Sequence, residues 1–159
     1  MSENKLKVTA EPNRLDVSLE RTFDFPKELV FKAFSDTELF KEWWGGAANG
    51  ETIADKHEPK AGGSWRMVER GADGEFAFRG VYHSFSLEDG IIQTFEWEGM
   101  PGHVCLEKMT FEEFDGKTTI RAISVFQSQE DRDGMVSSGM EQGAGYSYDK
   151  LEKLLATMK

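Results

Sequence analysis

Between about residues 51 and 126 the chain reads as six strand-like segments in series, separated by five glycine-bearing turns. The segments are Glu51–His57, Ser64–Glu69, Glu75–Phe85, Ile91–Trp97, Val104–Phe114 and Lys117–Phe126. The breaks run from Pro59 to Gly63, Gly71 to Gly74, Glu88 to Gly90 and Gly99 to Gly102, with Asp115-Gly116 the last. Asp-Gly between alternating segments signals a hairpin, because both central positions of the favoured turn need positive φ. Short connections in series join neighbours, so the segments predict an antiparallel meander.

The flanks complete the architecture. From Arg14 to Phe25 the apolar residues Leu15, Val17 and Leu19 alternate with Asp16, Ser18 and Glu20, the period of a strand with one buried face. Pro26 suits the first turn of a helix, with Asp24 as a candidate cap, and Leu29, Val30, Ala33 and Phe34 follow at helical spacing. Ser35 or Asp36 restarts a second short helix that carries Leu39, Phe40 and Trp43 and stops at Gly45-Gly46. Ser128 caps a terminal helical region whose stripe runs through Met140, Gly143, Ala144, Ser147, Leu151, Leu155 and Met158. The sum is an α+β chain: a curved antiparallel sheet of about seven strands, two short helices after the first strand, and a long C-terminal helix. One domain is expected over residues 14–159, after a loose N-terminus at residues 1–13 with no apolar pattern.

Charge removes several classes of partner. The net charge of −10 and isoelectric point of about 4.8, without a Lys/Arg cluster, disfavour nucleic acid and anionic membrane surfaces. No apolar run approaches the length of a spanning helix, and Met1-Ser-Glu-Asn-Lys-Leu6 has no apolar signal core. Cys105 is the sole cysteine, which fits a reducing cytoplasm and reads as a small apolar filler on a strand.

Five blocks stand in a fixed order: Arg21 to Phe34 with Phe25-Pro26-Lys-Glu-Leu-Val-Phe31 at its heart, Phe40-Lys-Glu-Trp-Trp-Gly45, Gly62-Gly-Ser-Trp-Arg66, Phe78-Arg-Gly-Val-Tyr82, and Gly139-Met-Glu-Gln-Gly143. Their order resembles the START-related, birch-pollen-allergen-like superfamily, and within it the homologues of the activator of heat-shock protein 90 ATPase. The similarity runs from about Arg14 to Leu155. It implies a helix-grip fold, with a cavity between the sheet and the last helix. Two departures stand out. Lys60-Ala61 occupies the place where such proteins usually carry arginine and proline before the Gly-Gly turn. Ala144-Gly145 follows the terminal signature where a bulky aromatic is common, a change that enlarges the implied cavity.

Candidate lining residues come from strand faces and the terminal stripe. Phe78 and Tyr82 share one face, Phe95 and Trp97 another, and Trp65 and Met67 a third; Trp44, Met109, Met140 and Ala144 complete the set. An aromatic wall with a few polar tips suits an apolar ligand, and equally an ordinary core. Gly139, Gly143 and Gly145 cost helix stability, about 1 kcal/mol each in an interior. They give either a smooth face beside a ligand, a hinge, or close helix–sheet packing.

Glu107 shares a face with Cys105, Met109 and Phe111. Turned inward, it is a carboxyl with a raised pKa and a candidate acid/base group; turned outward, it is an ordinary rim residue. His57 and His103 are the other catalytic candidates, as acid/base groups beside the cavity. The histidines show no zinc-like spacing, so no metal and no cofactor is expected. The leading expectation is a cytoplasmic protein that binds a small apolar or amphipathic molecule. The resemblance also implies two alternatives: a cyclase- or hydrolase-like enzyme using Glu107 and a histidine, and a chaperone ATPase accessory protein. An exposed apolar patch would further allow a homodimer.

Overall fold

The structure is a computed structural model that describes residues 4–45 and 50–158. Its elements in chain order are β1 (Lys7–Thr9), β2 (Asp16–Phe23), α1 (Lys27–Ser35), α2 (Thr37–Trp43), β3 (Glu51–His57), β4 (Ser64–Gly71), β5 (Gly74–Ser86), β6 (Gly90–Trp97), β7 (Val104–Phe114), β8 (Lys117–Val125), α3 (Gln129–Ser137) and α4 (Met140–Thr157). The strands form one antiparallel sheet of eight in the order β1-β2-β8-β7-β6-β5-β4-β3. This is the meander read from the turns, closed on one side by β2 pairing with β8, with α1, α2 and α4 packed on the inner face as in a helix-grip fold.

Alternation decides which face is inward. On β2, Val17, Arg21 and Phe23 are buried, and on β8 so are Thr118, Ile120 and Ser124. Residues 7–9, inside the stretch read as loose, add a three-residue edge strand to β2, with Val8 opposite Leu19. Asp24 does not cap α1. Pro26 occupies the cap position and its carbonyl accepts from Leu29 and Val30 at 3.1 and 3.2 Å. Asp24 lies two residues too early and instead accepts from Asn4 Nδ2 at 3.0 Å. Asp36 caps α2 through the Leu39 N–H, and Ser128 caps α3 through the Asp131 N–H. Helix α2 ends at Trp43, followed by Gly45 at φ +112°; Gly46 lies outside the described residues.

The terminal helical region divides in two. Gly139 sits between α3 and α4 at φ +90°, a left-handed conformation that costs an L side chain about 1–2 kcal/mol. The break lets α3 turn back toward β2. Buried Arg132 fixes it there, donating to the Asp16 carbonyl at 3.2 Å and to the Glu11 carbonyl. The main core gathers Phe23, Val30, Ala33, Phe34, Phe40 and Trp43 against Leu151 and Leu155 of α4. Trp43 is pinned twice: its indole N–H donates to the Ala33 carbonyl at 2.9 Å, and its own carbonyl accepts from Ser147 Oγ at 2.9 Å. A smaller cluster of Val17, Cys105 and Phe126 receives Met135 and Met140.

Candidate functional site

A cavity of about 280 Å³ lies between the sheet and α4 and draws its lining from both clusters. Its walls are mostly apolar. Trp44, at the C-terminal end of α2, meets Phe78 at 5.6 Å between centroids, and Phe78 meets Phe95 at 5.5 Å. Phe126, Met135 and Met140 bring in the α3–α4 corner, and Gly143 and Ala144 present the small face of α4.

One row of polar side chains crosses this wall. Strand register sets Tyr82 of β5 opposite Gln93 of β6, Gln93 opposite Glu107 of β7, and Glu107 opposite Ser124 of β8. Gln93 Nε2 donates to Glu107 Oε1 at 2.9 Å, and Ser124 Oγ donates to Glu107 Oε2 at 2.8 Å. Glu107 therefore points inward and lines the cavity. Burial raises its pKa, and the two hydrogen bonds oppose that rise only in part.

Neighbouring groups respond to the same environment. Burial raises the Cys105 thiol pKa, and the nearby Glu107 adds to it, so the thiol stays protonated and inert. Burial and then Glu107 raise the Tyr148 phenol, while Arg21 partly opposes them. The Tyr148 ring stacks on Trp43 at 6.0 Å and meets Phe23 edge-on at 5.9 Å. Tyr148 lines the cavity from α4. Arg21, only 3% exposed, is committed elsewhere, donating to Asp149 at 2.6 Å and Glu152 at 3.3 Å.

The expected site residues divide by position. Trp44, Phe78, Tyr82, Phe95, Glu107, Met109, Met140 and Ala144 line the cavity together. Trp65 and Met67 are buried behind that lining, Trp65 packing on Trp44 at 6.0 Å and Phe95 at 5.9 Å. Trp97 shares the face but closes β6 at the sheet end, 37% exposed beside Phe76. The histidines are not brought to Glu107. His57 stacks on Phe40 at 4.9 Å and shares a 2.8 Å hydrogen bond with Thr37 Oγ1, and burial lowers its pKa. His103 is exposed and paired with Asp131 at 2.7 Å. Gly145 does not line the cavity; its nearest side chain is Leu6, at 4.0 Å from an added Cβ.

Sequence reasoning missed Ser124 and Tyr148. Ser124 was available from the alternation Ile120, Ala122, Ser124, and Tyr148 from its place one turn beyond Ala144. Among the described residues no group of three or more His, Cys, Asp or Glu side chains is placed to hold a metal, and no helix is long and apolar enough to cross a membrane.

Comparison with solved structures places the fold. A protein from Rhodobacter sphaeroides superposes with a TM-score of 0.86 at 19% identity, over 96% of this chain and 99% of that one. A protein from Arthrobacter aurescens gives 0.85 at 22%, over 95% and 91%. Ms6760 from Mycobacterium smegmatis gives 0.84 at 18%, over 94% and 95%. At these identities the likeness carries the fold alone. No curated protein matches the chain in sequence. Residues 24–156 match the family described as Activator of Hsp90 ATPase homolog 1-like protein, from just after β2 to the end of α4. The chain belongs to that family.

Proposed function

We propose that this protein binds a small apolar or amphipathic molecule in the cavity between the sheet and α4, and that it does so in the cytoplasm. The observation that carries this reading is the cavity itself: about 280 Å³ lined by aromatic and aliphatic side chains, crossed by one polar row. Ligand sites commonly begin at about 300 Å³ and combine an apolar lining with a few placed polar groups. Trp44, Phe78, Phe95 and Met109 supply the apolar contact in this reading, and Tyr82, Gln93, Glu107 and Ser124 orient the ligand. The small residues Gly143 and Ala144 keep the space open from the helix side.

Binding is favoured over catalysis because Glu107 stands without a histidine: His57 lies against Phe40 and His103 pairs with Asp131. The test is native mass spectrometry of protein purified from its own host, followed by organic extraction. A retained small molecule supports the reading and names its chemical class. A protein that emerges empty and whose melting temperature no apolar compound raises would count against it, and would favour the chaperone contact suggested by the family's description.

A further inference from the structure

We propose that the cavity takes an amphipathic amine, whose protonated nitrogen sits against the Glu107 carboxyl while its apolar body lies on the aromatic wall. This rests on the cavity being a ligand site and deepens that reading by assigning the ligand's class.

Three observations point the same way. First, among the described residues the charged side chains that line the cavity are both acids, Glu69, which Lys150 approaches electrostatically, and Glu107, and no lysine, arginine or histidine lines it. Second, Glu107 is held by neutral donors only. Each carboxyl oxygen receives one bond, from Gln93 on β6 and Ser124 on β8. A carboxylate has about four acceptor positions, so capacity remains for an N–H donor from the cavity. The groups around it supply no cation: Cys105 is a neighbour on its own strand, Tyr148 faces it from α4, and Arg21 of β2 is engaged by Asp149 and Glu152. Third, Tyr148 lines the cavity from α4, and a phenol oxygen can accept a second N–H.

The apolar lining adds to the preference. Ring faces carry negative charge density, and a cation beside Trp, Tyr or Phe is attracted most where water is excluded. Trp44, Phe78, Phe95 and Tyr148 provide such rings. A ligand carboxylate would instead meet Glu107 as a like charge. A neutral alcohol satisfies one hydrogen bond and gains nothing from the carboxylate's charge. The net charge of −10 also favours approach by cations.

The experiment uses three probes with one apolar body: phenylbutylamine, phenylbutanol and phenylbutanoate, titrated into the whole protein by calorimetry at neutral pH. The amine should bind at least about tenfold tighter than the alcohol, with the carboxylate weakest. In Glu107→Gln, which keeps the side chain's shape, the amine should lose that advantage while alcohol binding is retained. If that variant fails to fold, the wild type still decides. In mildly acidic buffers of different ionisation heat, amine binding should release a proton from the cavity and alcohol binding should not. Alcohol binding as tight as the amine, with no proton released, overturns the amine assignment and leaves the cavity reading standing. An amine preference that survives in folded Glu107→Gln overturns the role of Glu107. Failure of all three probes to bind overturns the proposal together with the reading on which it rests.

Discussion

Ser124 donates its hydroxyl to the Glu107 carboxyl across 2.8 Å, and the two residues stand directly opposite one another on β8 and β7. With Gln93 on the other side, the pair places an acid on a mostly apolar wall. The arrangement follows from register alone, since a one-residue slip of either strand would turn one partner to the outer face.

Because burial raises the Glu107 pKa, the folded protein holds this proton to higher pH than the unfolded chain does. Wild-type stability from this group is therefore present at low pH and falls as pH rises above the unfolded value of about 4.3 toward the higher folded one. Glu107→Gln does not titrate. It should melt above wild type at neutral pH, with the gap closing as pH falls to about 4. Melting curves across pH check this; a gap independent of pH would contradict it.

His57 carries the opposite sign. Burial lowers its pKa, so the unfolded chain takes up protons first, and stability from this group is lost as pH falls below about 6.5. His57→Phe preserves the stack on Phe40 and should flatten the stability profile below that pH. Chemical denaturation at several pH values reads the slope, and an unchanged slope would count against the assignment.

Arg21 fastens β2 to α4 through Asp149 and Glu152. Removing both carboxylates leaves a buried guanidinium unpaired, whereas Arg21→Met removes the charge and keeps most of the packing. The double variant Asp149→Asn with Glu152→Gln should cost about 2–4 kcal/mol, more than Arg21→Met does. Denaturant midpoints of the two variants give the order directly.

Two glycines are required for different reasons. Gly139→Ala forces a side chain into the left-handed region and should cost about 1–2 kcal/mol. Gly80 has ordinary backbone angles but no room: an added Cβ would lie 1.9 Å from the Thr94 carbonyl oxygen and 2.6 Å from Trp65 Nε1. Gly80→Ala must displace a neighbouring strand and should cost about 3 kcal/mol or more. Thermal or denaturant unfolding of both variants tests the ranking.

Much of the fold was legible because its turns are written in glycine and aspartate. The expected bounds of β3 and β7 coincide with the observed strands, and Asp115-Gly116 makes the turn between β7 and β8 with both residues at positive φ. The site was only partly legible. A β-bulge between Tyr82 and Ser84 lets both Tyr82 and Phe85 face inward, which strict alternation forbids. The row of Gln93, Glu107 and Ser124 depends on the relative register of three strands, information that no single segment contains. Trp97 shows the converse limit: its parity is inward, but it lies where the strand runs out of core. The break at Gly139 was visible as a glycine, while its effect, aiming α3 at β2 through Arg132, depends on tertiary contacts.

The cavity claim is tested most directly by filling it. Ala144 lines the space from α4, so a larger side chain there would occupy part of it. Wild type and Ala144→Trp would be melted against one library of apolar and amphipathic compounds. The account predicts compounds that raise the wild-type melting temperature and lose that effect in a folded Ala144→Trp. Compounds that stabilise both proteins equally, or none that stabilises the wild type, would contradict it.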